Sequence, residues 1–166
     1  MEINVTLVRD EVGQPLYIQS VIRDVTQRQA RATATVRMRP ATAERVAASS
    51  GPKGDVLSAA RIAGIMAAKR TPELIPLCHG IALTQVTVHF DVDTDAGRVT
   101  VEAGATAADR TGVEMEAMVA ASVAALTIYD MLKAIERGIV IEQVVLIEKS
   151  GGRSGHYKRQ VEGTAG

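Results

Sequence analysis

The sequence predicts an α+β fold in which helices cover one face of an antiparallel sheet, and three observations carry that prediction. Segments with apolar residues at every second position alternate with longer segments at helical spacing. Two of the strand-like segments are joined by the short turn "DTDAG". The composition is 46% hydrophobic but only 2% aromatic, so aliphatic side chains and alanines must fill the core. With 166 residues the chain has the size of one domain, and 1–166 is read as a single unit.

The elements follow in order. Ile3, Val5 and Leu7 alternate like a short strand, and Gly13 with Pro15 signals a turn; residues 1–29 are read as a lead segment. "ARATATVRM", from Ala30 to Met38, alternates and is rich in Thr and Val, which suits a strand that Pro40 ends. "ATAERVAA" (Ala41 to Ala48) suits a short helix, and "SSGPKGD" is a loop carrying Lys53. Asp55 is placed to cap a helix over "VLSAARIAGIMAAKR", in which Leu57, Ala60, Gly64, Ala67 and Ala68 share a face. Lys69 and Arg70 suit its C-terminal dipole, and Pro72 and Pro76 stop it.

Beyond "TPELIPLCHG", Val86, Val88, Phe90 and Val92 alternate with Thr87, His89 and Asp91 as a half-buried strand, and "RVTVEAGATA" returns as its hairpin partner. A long helix follows over "TGVEMEAMVAASVAALTIYDMLKAIERG", with Thr111 and Glu114 at capping-box spacing and Gly138 at the end. "IVIEQVVLIEK" is the last strand, and residues 150–166 form a basic, Gly-rich tail. The order strand, helix, strand, strand, helix, strand is the βαββαβ arrangement of a ferredoxin-like split βαβ fold. Such a fold hosts many activities, so function must come from particular residues.

Nineteen basic and nineteen acidic residues cancel, which leaves no global field to draw nucleic acid or an anionic membrane. Any anion must be held by a local cluster. The start of the chain lacks the long apolar run of a secretory signal, the uncharged stretch Ala117 to Tyr129 is too short for a membrane span, and a lone Cys78 excludes an internal disulfide framework. A cytoplasmic protein is expected.

The long helix poses the sharpest question, because its apolar middle is bracketed by Glu114 and Glu116 at one end and by Asp130 and Lys133 at the other. Glu116 and Asp130 lie fourteen residues apart, which separates them by about 21 Å along the axis. One small substrate cannot touch both from one chain, so a shared site would need two chains related by a two-fold axis. The small-residue face Ala117, Ala120, Ala121, Ala124 and Ala125 offers a surface on which a helix or sheet could pack closely. The plainer reading is that the acids stabilise the helix dipole and that Asp130 with Lys133 is an i,i+3 pair. Elsewhere, "PLCHG" sets Cys78 beside His79 in a Pro-bounded loop without the spacing of a metal site. "EKSGGRSGHYKR" joins glycines to Lys149, Arg153, Lys158 and Arg159, which suits a phosphate or a basic tail.

Three long stretches, "KGDVLSAARIAGIMAAKRTPELIPLCH", "TGVEMEAMVAASVAALTIYDMLKAI" and "KSGGRSG", together resemble the cyclic pyranopterin monophosphate synthase family of molybdenum cofactor biosynthesis, from about Arg28 to Gly155. The resemblance implies a lyase that converts 3′,8-cyclo-7,8-dihydro-GTP to cyclic pyranopterin monophosphate and releases pyrophosphate. It implies a ferredoxin-like fold and a homohexamer built from dimers with sites at the dimer interface. It also implies no required cofactor, with Mg²⁺ beside the triphosphate left open. By motif, Asp130 and Lys133 correspond to a catalytic pair and Lys53 to a third active-site group. Leu77, Cys78 and His79 correspond to one substrate-binding segment, and Met115 with Glu116 to another. Lys149, Glu114 and Arg28 complete the expected site. Two departures stand out: Tyr17-Ile18-Gln19-Ser20-Val21 replaces the family's Met-Val-Asp-Val-Ser, and Gly80 replaces Pro after Cys78-His79. The alternative on the same fold is a nucleotide-binding relative without turnover.

Overall fold

The computed structural model describes residues 2–23, 27–151 and 155–160. Strands β1 (Glu2–Arg9) and β2 (Pro15–Arg23) form a two-stranded antiparallel sheet. Asp10 shapes its turn by accepting the N–H groups of Val12 and Gln14 at 3.0 and 2.8 Å, and Gly13 supplies the positive φ of 81°. The lead segment is therefore a hairpin.

The main sheet holds β3 (Gln27–Arg37), β4 (Leu83–Asp93), β5 (Arg98–Ala108), β6 (Val140–Ser150) and β7 (Tyr157–Lys158), in the order β4-β5-β3-β6-β7 and antiparallel throughout. The helices are α1 (Pro40–Ala47), α2 (Val56–Lys69), α3 (Thr71–Leu74) and α4 (Glu114–Leu132). Leaving out β1, β2, α1, α3 and β7, the chain reads βαββαβ with β3 and β5 side by side at the centre. That is the ferredoxin-like arrangement the sequence order predicts.

Period two explains which sheet face is covered. Ala30, Ala32, Ala34 and Val36 of β3, with Val99, Val101, Ala103, Ala105 and Ala107 of β5, all point inward and are buried. Their small side chains let α4 lie close, and Ala117, Ala120, Ala121, Ala124, Ala125 and Ile128 are fully buried against them and against α2. Gly64 of α2 faces the backbone of α4, and a Cβ there would stand 2.9 Å from the Ala120 carbonyl oxygen and 3.3 Å from the Ala124 Cβ. The alanine face thus serves packing within one chain, not the contact with a second chain suggested by its sequence. The other sheet face is charged: Arg31 bridges Glu102 at 3.1 Å and Glu148 at 3.0 Å.

The margins of the sheet are also accounted for. On the β4 side, Arg61 of α2 donates Nε–H to the Val88 carbonyl at 3.1 Å and lies over the Phe90 ring. On the far side β7 pairs with β6, and the Arg159 N–H donates to the Ile147 carbonyl at 2.7 Å. His156 joins this contact through Glu148 at 2.7 Å, so it is exposed but engaged. Arg153 lies outside the described residues, as do 161–166 of the tail.

One local expectation holds and three need correction. The Asp55 cap on α2 forms, with its carboxylate accepting the Ser58 N–H at 3.1 Å. Thr111, by contrast, does not cap α4, whose N-cap is Val113 with no side-chain bond, because its hydroxyl is engaged with His79 instead. Gly138 does not end α4 either: the helix stops at Leu132, and Glu136 leaves it to accept the Arg39 N–H at 3.1 Å at the start of α1. Pro72 does more than stop α2, since it sits in the first turn of α3, where its missing N–H is harmless.

Candidate active site

Two clusters form, one at each end of α4. At the C-terminal end, Asp130 receives two ammonium groups, Lys133 Nζ on Oδ1 at 2.7 Å and Lys53 Nζ on Oδ2 at 2.8 Å. Lys53 also lies 3.3 Å from the Asp130 carbonyl oxygen. It is delivered by the turn between α1 and α2, where Gly51 and Gly54 bridge each other and Gly54 adopts a φ of 96°. Hydrogen bonds from Lys133 and then Lys53, reinforced by their charges, lower the Asp130 pKa to about 2, while Asp130 raises that of Lys133. At rest the pair is held fully ionised.

At the N-terminal end a cleft of about 400 Å³ is lined by Leu77, Cys78, His79, Glu114, Met115 and Glu116, together with Ile81, Thr111 and Gly112. This volume is in the range of small-molecule sites. Leu77 is fully exposed and holds a φ of 66°, which is strained for a leucine and turns the chain so that Cys78 and His79 reach the cleft. Glu116 is only 3% exposed, and its Oε2 has no hydrogen-bond partner among the described residues. Burial raises its pKa, Glu114 adds to that, and its own backbone and His79 oppose it.

Lys149 of β6 reaches this end of the helix, with Nζ 3.8 Å from Glu114 Oε1. Arg28 of β3 is 4% exposed and donates Nε–H to the Asp109 carbonyl at 2.8 Å, which ties the turn before α4 to the sheet. The structure thus brings Lys53, Asp130 and Lys133 together, and separately gathers Leu77, Cys78, His79, Glu114, Met115, Glu116 and Lys149, with Arg28 behind them. It does not join the two sets, because about 21 Å of helix lies between Glu116 and Asp130.

Sequence reasoning missed three parts. Thr111 lines the cleft and touches His79, Gly112 lets the Glu114 carboxyl fold over its Cα, and Asp109 accepts the N–H groups of Arg110 and Thr111. An Asp followed by Arg-Thr-Gly is a turn signal, so Asp109 was open to detection. The capping-box spacing obscured Thr111.

Known proteins give this geometry a context. The sequence pattern of the MoaC family matches residues 20–152. A protein of Geotalea uraniireducens (strain Rf4) named cyclic pyranopterin monophosphate synthase is 52% identical over 153 residues, covering 92% of this chain and 96% of its own. One of the same name from Roseiflexus sp. (strain RS-1) is 54% identical over 148 residues, covering 89% and 94%. A family pattern that spans both clusters, and relatives aligned over nearly their whole lengths, show that this chain belongs to the MoaC family.

Proposed function

We propose that the chain is a cyclic pyranopterin monophosphate synthase of molybdenum cofactor biosynthesis, a cytoplasmic lyase acting on 3′,8-cyclo-7,8-dihydro-GTP. The observation that carries the reading is full-length similarity to relatives bearing that name. The reaction opens and rebuilds the purine-derived rings as a pyranopterin. A hydroxyl oxygen then attacks the α-phosphorus, the bond to the β-phosphate breaks, and pyrophosphate leaves.

The Lys53, Asp130 and Lys133 cluster suits this chemistry. Its ion pairs keep Asp130 a weak base and Lys133 a weak acid until something competes for the ammonium groups. A triphosphate does so: as its oxygens draw the two lysines away, the Asp130 carboxylate recovers its basicity beside the substrate. Proton transfer then runs between substrate, Asp130 and Lys133. Leu77, Cys78, His79, Met115 and Glu116 bind the substrate in the cleft, with Glu114, Lys149 and Arg28 around it. The reading requires no cofactor held by the protein.

In this reading a complete site takes the N-terminal end of α4 from one chain and the C-terminal end from another, in a two-fold dimer that assembles further into a hexamer of three dimers. Support comes from the helix length between the clusters and from apolar side chains left exposed on the helices and the cleft loop, Ile62, Met66, Leu126 and Leu77.

Turnover of freshly prepared cyclised dihydro-GTP, followed by pyrophosphate release and pterin formation, tests the proposal. Product from the wild type, lost in Asp130→Asn and Lys133→Ala, supports it. A folded wild type that binds the substrate without converting it would leave a nucleotide-binding relative instead.

A further inference from the structure

The contact between His79 and Thr111 is used by neither the family motif nor the proposed proton transfer. His79 Nε2 lies 3.3 Å from Thr111 Oγ1, across 32 positions of sequence, and both residues line the cleft. The threonine is itself fixed through Asp109. Its N–H donates to Asp109 Oδ1 at 3.2 Å, and the carbonyl of Asp109 accepts from the buried Arg28 of the central strand β3 at 2.8 Å. The His79 loop, by contrast, is exposed and follows a residue in a strained conformation. A ring on such a loop has no fixed direction unless something holds one of its nitrogens.

We infer that Thr111 is a positioning residue: its hydroxyl holds His79 by Nε2 and leaves Nδ1 for the substrate. The choice of a hydroxyl follows from chemistry. Oγ1 can donate to Nε2 of the neutral ring, which puts the ring proton on Nδ1, and can accept from Nε2–H of the imidazolium. The ring can therefore keep one orientation in both states, with Nδ1–H turned toward an anionic substrate. A carbonyl would fix one tautomer and an amide N–H the other. Glu116 on α4 interacts electrostatically with His79, Glu114 lines the same cleft with Lys149 of β6 beside it, and Asp109 and Arg28 stand behind Thr111.

The inference rests on the synthase reading for the substrate that Nδ1 meets, so its test has a readout that needs no turnover. The full chain, labelled with ¹⁵N, is examined by long-range ¹H–¹⁵N correlation of the histidine rings, with His79→Gln assigning the signals. Wild type and Thr111→Ser are expected to show neutral His79 with its proton on Nδ1. Thr111→Val, or Thr111→Ala if the valine variant does not fold, is expected to show mixed tautomers. In parallel, kcat/KM should fall on the order of two- to tenfold in Thr111→Val, the size of one lost hydrogen bond, and recover in Thr111→Ser. An unchanged ring spectrum in the valine and alanine variants, a wild-type ring protonated only on Nε2, or a serine variant as weak as the valine one would overturn the assignment. A wild type that fails to turn over would sink the synthase reading and leave the spectrum to decide the role of Thr111.

Discussion

Asp130 and Glu116 are carboxylates on one helix whose surroundings push them in opposite directions. Two lysines lower Asp130 to about 2, so in the free enzyme it stays ionised at any working pH and its loss cannot be offset by moving the pH. Asp130→Asn should lower kcat/KM, which reports the free enzyme, on the order of 10²–10⁴-fold from roughly pH 5 to 9 without reshaping its profile, as initial rates at low substrate across that range will show. Glu116 is raised by burial. Folding therefore takes up a proton between the unfolded and the folded pKa. Its contribution to stability is complete below the unfolded value and is lost as pH rises through the folded one. Glu116→Gln should remove this dependence, so that the variant's Tm gains on that of the wild type as pH rises; thermal melts of both at several pH values decide it. The identities of these residues were legible in the sequence. The burial of Glu116 was not, because an acid in a first helical turn looks exposed until the turn before it is folded over.

At the scale of elements, the match between sequence and structure follows the strength of the local signal. The strands β3, β4 and β5 and the helix α2, with its aspartate cap, were readable because period and punctuation agree there. The ends of α4 were not, since tertiary bonds took the side chains that local rules assigned to capping: Thr111 serves His79, and Glu136 serves the start of α1. The alanine-rich face was legible as a close-packing surface but not as to what packs on it. That closeness is testable at Gly64, where a Cβ has 2.9 Å to the Ala120 carbonyl oxygen and 3.2 Å to a Val88 methyl. Gly64→Ala should cost about 1–3 kcal/mol in chemical denaturation, despite the better helix propensity of alanine, because two helices would have to separate. A neutral or stabilising result would mean that α2 and α4 can slide apart at no cost.

For the whole molecule, the distance between the two clusters is the central fact. If a site joins Asp130 of one chain to His79 of another, two dead variants can repair each other. Asp130→Asn mixed with His79→Ala under subunit exchange should recover about a quarter of wild-type activity, since half the dimers are mixed and each mixed dimer has one intact site. No recovery in demonstrably mixed dimers would place each site within one chain. The separation of Glu116 and Asp130 was legible in their spacing, whereas the apolar surface left exposed on the helices was not. The exposure of Ile62, Met66 and Leu126 depends on how α2 and α4 turn against the sheet.

The arginine that crosses from α2 to the outer strand has a bearing on how such a chain survives at high concentration. An open β4 margin would be a template for another copy, and repeated addition there would give fibres. By occupying the Val88 carbonyl and lying over Phe90, Arg61 interrupts the row of acceptors that an incoming strand would need. At the opposite margin β7 covers β6 only at Glu148 and Lys149. Arg61→Ser should therefore increase thioflavin-positive aggregation on prolonged incubation, while leaving the fold, read by circular dichroism, as it was.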